Sequence, residues 1–187
     1  MITLKSGVSL VLLATVFLFL TSCKDEIKKV ALSGPADKLP IESVTNLELI
    51  YSDSAKVKFK LRAPLSKTFD KPKLIIEFPR GVAIDGYDDS LHINSKLTAN
   101  YAIRYEDEGR MEAMKNVVVI NKKGEKLNTE HLIWDEKLHK ITTLDSVRIT
   151  TGDEILYGDG LEANEDFTRY RILKPKGIIY KDAKQFQ

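Results

Sequence analysis

The sequence predicts an all-β protein, and three observations carry that expectation. Apolar and polar residues alternate with period 2 through successive short segments from Ile41 onward. Polar turn residues separate these segments at short spacing, the pattern of a sandwich or barrel. From Asp89 to the C-terminus the chain repeats about every 30 residues, each unit having the shape of two strands. Asn116-Val117, Ser146-Val147 and Lys176-Gly177 open NVVVIN, SVRITT and KGIIYK at intervals of 30 and 30. GVAID at Gly81 to Asp85 is a fourth copy of these, 35 residues before NVVVI, and Leu97, Leu132 and Leu161 open the first halves LTANY, LIWDE and LEANE. A fixed period means stacked units that share one core. A stack of paired strands makes a long open-ended slot, a shape suited to carrying a molecule rather than reacting with it.

The first segment, residues 1–22, holds one charge, Lys5, and an apolar run from Val8 to Leu20. As a helix that run is roughly 20 Å long, short of the ~30 Å hydrocarbon layer. A signal-peptide core is therefore expected. It ends in Leu20-Thr21-Ser22-Cys23, small residues before the sole cysteine, which matches a bacterial lipobox with Cys23 as the lipidated first residue. An uncleaved anchor helix with an incidental thiol is the alternative. Lys24-Asp25-Glu26 is a solvated start, or else the surface-export signal of some lipoproteins. Residues 23–43, polar and with Gly34-Pro35 and Pro40, read as a lipidated N-terminus and flexible tether.

The β domain is expected over residues 44–181, with a tail at 182–187. Val44, Leu47, Leu49 and Tyr51 precede a turn at Ser52-Asp53-Ser54. Val57, Phe59 and Leu61 then alternate with Lys56, Lys58, Lys60 and Arg62, apolar on one face and cationic on the other. Pro64 is expected to end this strand, with Leu65 to Pro72 as a connection. Leu74, Ile76 and Phe78 alternate next, then Val82 and Ile84, with a turn expected at Asp85-Gly86. Leu91 to Ile103, Met111 to Met114 leading into Val117 to Ile120, Leu127 to Trp134, Lys140 to Leu144, Val147 to Thr150, Ile155 to Leu161, Phe167 to Leu173 and Ile178 to Tyr180 complete the series. The five extra residues of the 35-residue interval are assigned to the acidic turn Glu106 to Gly109.

Composition limits the chemistry. The net charge is +2, and the loss of Lys5 with the leader leaves +1, too weak a field for nucleic acid. One cysteine removes disulfides and thiolate metal sites. His92, His131 and His139 make no metal-ligand spacing. Asp88-Asp89 and Glu106-Asp107-Glu108 read as solvated turns rather than a carboxylate dyad or calcium site. No serine sits in GxSxG. Gly158-Asp159-Gly160 lacks the third glycine and helix of a phosphate loop and reads as a bulge or turn. No cofactor and no catalytic residue is expected.

Five segments, EFPRGV (Glu77 to Val82), LTANYA (Leu97 to Ala102), NVVVIN, GEKLNTEHLIWD (Gly124 to Asp135) and YGDGLEANEDFTRYRI (Tyr157 to Ile172), resemble the LptC family of lipopolysaccharide export. The resemblance covers roughly Val44 to Tyr180. The lipobox is similar to Bacteroidetes-type members and departs from those that keep an N-terminal transmembrane helix. The resemblance implies a twisted, open β-jellyroll of two antiparallel sheets with a V-shaped section, OstA-like. It also implies a periplasmic protein, lipid-anchored in the inner membrane. Such a protein takes lipopolysaccharide from an inner-membrane ABC transporter and passes it to a bridge protein of the LptA type. Strand parity supplies the slot lining: Val57, Phe59, Leu61, Ile76, Phe78, Val82, Ile84, Leu97, Val117, Val119, Leu132, Trp134, Val147, Ile149, Leu161, Ile172 and Ile178. Ordinary sandwich core is the competing reading for each. A structural or surface lipoprotein with a filled core is the alternative for the whole chain.

Overall fold

The computed structural model describes residues 39–180. The expected signal segment, the lipidated Cys23, most of the tether and the tail lie outside the described residues. Eleven strands follow in order: β1 (Glu42–Asp53), β2 (Lys56–Phe69), β3 (Ile75–Phe78), β4 (Val82–Tyr87), β5 (Ile93–Ala99), β6 (Tyr101–Tyr105), β7 (Arg110–Asn121), β8 (Lys126–Asp135), β9 (Lys140–Thr150), β10 (Glu154–Asn164) and β11 (Tyr170–Tyr180). All pairings are antiparallel, and hydrogen bonds join all eleven strands in one network. The expected all-β jellyroll is the fold observed.

The two expected sheets are two halves of that network, folded at a line of corners. β7 makes the division plain. β8 pairs both its halves on one side, while on the other its first half, Arg110 to Met114, pairs β6 and its second half, Val118 to Asn121, pairs β5. Between the halves, Lys115 and Asn116 both adopt positive φ, 65° and 54°. β2 divides likewise, Phe59 to Arg62 against β4 and Lys67 to Phe69 against β3. Register breaks mark the same corner in β8 against β9 and in β10 against both neighbours. The first layer therefore holds β3, β6 and one half of each long strand. The second holds β4, β5 and the other halves.

This geometry explains the repeat. Asn116, Ser146 and Lys176, which open the repeated segments, all lie at corners of β7, β9 and β11. One period is one strand up, one strand down and two turns. Gly81 is the equivalent corner between β3 and β4. Its φ is 88°, and a Cβ there would lie 2.7 Å from the Ala99 carbonyl oxygen, so glycine is required. At the last corners Asp159 accepts hydrogen bonds from Ser146 Oγ at 2.8 Å and pairs with Lys176 Nζ at 2.6 Å. The Lys176 and then the Ser146 hydrogen bond hold its carboxyl below the usual range. The stabilisation this adds is present above about pH 4 and is lost as pH falls through the lowered pKa.

Several local expectations are corrected. β2 runs through Pro64, which does not end it. Pro64 falls between the segment paired with β4 and the segment paired with β3, so its missing N–H breaks no ladder there. Leu65 to Phe69 is consequently strand rather than connection. Asp85-Gly86 is not a turn but the middle of β4. Asp85 is buried against the Arg62 guanidinium, and a Cβ at Gly86 would strike Ser95 Oγ, 2.3 Å away. The turn comes at Asp88 to His92, where Asp88 Oδ1 accepts from the backbone N–H of Ser90 and His92. The 35-residue interval does not owe its length to Glu106 to Gly109, which is as long as its counterpart Glu136 to His139. The extra residues lie in β4, the β4–β5 turn, and β5 with β6, where Asn100 interrupts what is elsewhere one strand. Leu97 is accordingly not equivalent to Leu132 and Leu161. It precedes its corner and lies in the second layer, while they follow theirs and lie in the first. Of the bulge or turn expected at Gly158-Asp159-Gly160, the bulge is present, as two register shifts within β10.

The core sits between the layers and includes Leu61, Ala63, Phe78, Val82, Ala102, Val117, Leu132, Val147, Ile149 and Leu161. Leu161 is 0 % exposed. Leu161→Ala is expected to destabilise the domain by about 2–5 kcal/mol, the range for truncating a buried leucine. Chemical denaturation followed by far-UV circular dichroism checks this, and a midpoint unchanged from the parent contradicts the packing described.

Candidate binding cavity

The inward faces do not fill the space between the layers. A cavity of about 770 Å³ remains, bounded by β1, β2, β4, β5, β7, β8, β9 and the β10–β11 turn. That volume lies within the range of ligand-binding pockets. Six of the expected lining residues meet here: Phe59, Ile84, Leu97, Val119, Leu132 and Trp134. Ile84, Leu97 and Val119 are cross-strand neighbours on β4, β5 and β7, which makes them one continuous apolar wall. Beside this wall, on the neighbouring strands β1 and β2, begins an aromatic series. Tyr51 stacks on Phe59 at 4.9 Å, and Phe59 meets Trp134 edge-on at 5.6 Å. β2 and β8 are not sheet neighbours, so the Phe59–Trp134 contact crosses the interior between the layers. The Trp134 indole N–H donates to Glu165 Oε1 at 2.8 Å, which satisfies its one polar atom.

The other expected residues are elsewhere. Leu61, Phe78, Val82, Val117, Val147, Ile149 and Leu161 are buried in packed core and do not border this cavity. Ile149 and Leu161, with Val119, border a much smaller space of about 10 Å³ beneath β9 to β11. Ile76 and Ile172 are half-buried against the core, and Val57 is half-buried beside the β1–β2 turn. Ile178 has the inward register of its partner Leu156, yet it is 53 % exposed, since among the described residues no strand lies beyond β11.

Sequence reasoning missed Tyr51, Met111, Ala113, Ile141 and Phe167 as lining residues. Parity could have found the first four. Ala113 matters through its size, since a small inward residue leaves volume empty. Phe167 lies in a turn and carries no periodic signal.

The rim is polar. Asp88 and Asp89 stand at the mouth with Lys58 and Lys96. The His92 backbone N–H holds the Asp88 carboxyl low, and the Lys56 ammonium does so for Asp89. Lys58 and Lys96 are exposed and have no ion-pair partner within 4 Å among the described residues. His92 and His139 are exposed, while His131 is half-buried beside Glu112, 2.9 Å away. Among the described residues no group of three His, Cys, Asp or Glu side chains could hold a metal ion.

A family model described as lipopolysaccharide-assembly, LptC-related, matches residues 9–178. The chain belongs to the LptC family. An LptC-family chain is a component of lipopolysaccharide transport rather than an enzyme, and the family is periplasmic and membrane-associated. No curated protein matches the chain at a significant level.

Proposed function

We propose that this LptC-family protein is a lipid-anchored periplasmic carrier that holds the acyl chains of lipopolysaccharide in the cavity between its layers. It accepts the glycolipid from an inner-membrane ABC transporter and passes it to a bridge protein of the LptA type. The observation that supports this most is the 770 Å³ cavity with the Ile84–Leu97–Val119 wall. Burial contributes about 0.8 kcal/mol per CH₂, so ten methylenes in such a cavity supply on the order of 8 kcal/mol before ordering costs. Lys58 and Lys96 at the mouth suit an anionic head group outside it. Energy for directional movement comes from the transporter. Cys23 is the acylated anchor in this reading, and more than one chain makes the attachment stable.

Both ends of the stack suit hand-over. Among the described residues β1 pairs only β2 and β11 pairs only β10, so each presents an open strand edge. Strand addition at such edges joins neighbouring jellyrolls into one slot. The β1–β2 edge serves the transporter and the β11 edge the bridge protein. Native mass spectrometry of the full chain, purified in mild detergent, tests the carrier reading. One glycolipid bound per protein is expected. A protein that stays folded and empty when offered lipopolysaccharide contradicts it and favours a structural lipoprotein.

A further inference from the structure

The cavity does not continue to the β11 edge. Phe167, in the turn Asn164 to Arg169 between β10 and β11, borders the 770 Å³ cavity on one side and the 10 Å³ space beneath β9 to β11 on the other. It is 5 % exposed, although the turn that carries it is at the surface. The turn is tied to both layers. On the first layer, Glu165 accepts from Trp134 Nε1 and lies 3.2 Å from His139 Nδ1. On the second layer, Asn121 Nδ2 donates to the Phe167 carbonyl oxygen at 3.2 Å. Tyr170 and Glu125 border the 10 Å³ space together, on β11 and in the β7–β8 turn.

Two features set this turn apart from the strands it joins. It is braced internally: Asn164 Oδ1 accepts from Arg169 N–H, Asn164 Nδ2 donates to Thr168 Oγ1, and Asp166 Oδ1 accepts from Thr168. Its hold on the opposite layer is slight by comparison, one hydrogen bond and one ring at the turn itself. Phe167 also has φ 54°, a backbone state that a bulky side chain adopts at a cost of order 1–3 kcal/mol. The burial of its ring offsets that cost only while the ring stays between the layers.

We infer that the Asn164–Arg169 turn is a strap that closes the slot with the Phe167 ring, and that cargo passes from the cavity toward the β11 edge only when the strap is displaced. This rests on the carrier reading above. In the closed state an acyl chain occupies the Phe59–Trp134 side and meets Phe167 before it reaches Tyr170. Displacement joins the two spaces. A carrier that faces two partners in turn gains from such a stop, because cargo is held until the acceptor edge is engaged.

The experiment places a photoactivatable benzophenone residue at Phe59, in the cavity, or at Tyr170, beyond the ring, in the full chain. Purified lipopolysaccharide is the probe. The parent protein is expected to give adducts at position 59 and about tenfold fewer at 170, the effect of a barrier near 1.4 kcal/mol. Phe167→Gly removes the ring and accepts the positive φ without strain, so it should fold. It raises the adduct at 170 to near that at 59 and leaves 59 within about twofold. Glu165→Ala releases the other side of the strap and raises the adduct at 170 in the same direction. Melting temperatures of both variants establish that they are folded. Equal adducts at 170 in the parent and both variants overturn the strap while the carrier reading stands. No adduct at 59 in any protein overturns both.

Discussion

Leu97→Asp is expected to weaken glycolipid binding about 100-fold or more while the protein stays folded. Leu97 is half-buried in the middle of the wall, between Ile84 on β4 and Val119 on β7. A carboxylate there faces a space that water can occupy when no lipid is bound, so the empty protein tolerates it. Occupancy by an acyl chain removes that water. The effective penalty for stripping an unpaired carboxylate is several kcal/mol, and about 3 kcal/mol already corresponds to a 100-fold loss. Leu97→Met changes shape without charge and is expected to cost under about 1.5 kcal/mol. Titration of lipopolysaccharide against both variants, with melting temperatures alongside, makes the comparison. Undiminished binding by folded Leu97→Asp places the lipid elsewhere.

Removal of residues 177–187 is expected to abolish association with the bridge protein and to leave association with the transporter intact. Glu154 to Tyr157 of β10 currently pair with Tyr180 to Gly177 of β11. Among the described residues nothing pairs beyond β11, and Ile178, Ile179 and Tyr180 are all more than half exposed on that strand. Apolar side chains on both faces of an open edge make a template for another strand. Truncation removes the template and leaves the β1–β2 edge untouched, at the far end of the strand order. Because truncation also bares β10, Ile179→Lys provides a milder version, a charge placed on the edge. Co-purification with each partner reads both. A truncated chain that still binds the bridge protein refutes the assignment of this edge.

Much of the fold was legible in the sequence because a half-buried strand imposes a local rule. Side chains alternate between faces, so Val57-Phe59-Leu61 against Lys56-Lys58-Lys60 specifies a strand and its inward face without knowledge of any partner. The repeat also proved local in origin. Asn116, Ser146 and Lys176 recur because each long strand turns the same corner. The errors came where a residue's meaning depends on what lies beside it. Pro64 breaks a strand only if its N–H is needed, and between β4 and β3 it is not. Asp85-Gly86 has turn composition, but Arg62 and Ser95 fix it inside β4. Phe167 offers no pattern because a single turn residue has no period.

The sequence by itself determined the strand series, the corner spacing, the near-neutral charge and the family. These depend on chain-local alternation and on residue order. The tertiary structure alone decided which inward residues face empty space. Leu61 and Leu97 obey the same parity, yet one is packed and the other borders the cavity. The difference is set by the opposing layer, through distance and side-chain volume across a gap that no stretch of sequence spans. The same reason holds for Phe167, whose place between two spaces exists only once both layers are in position.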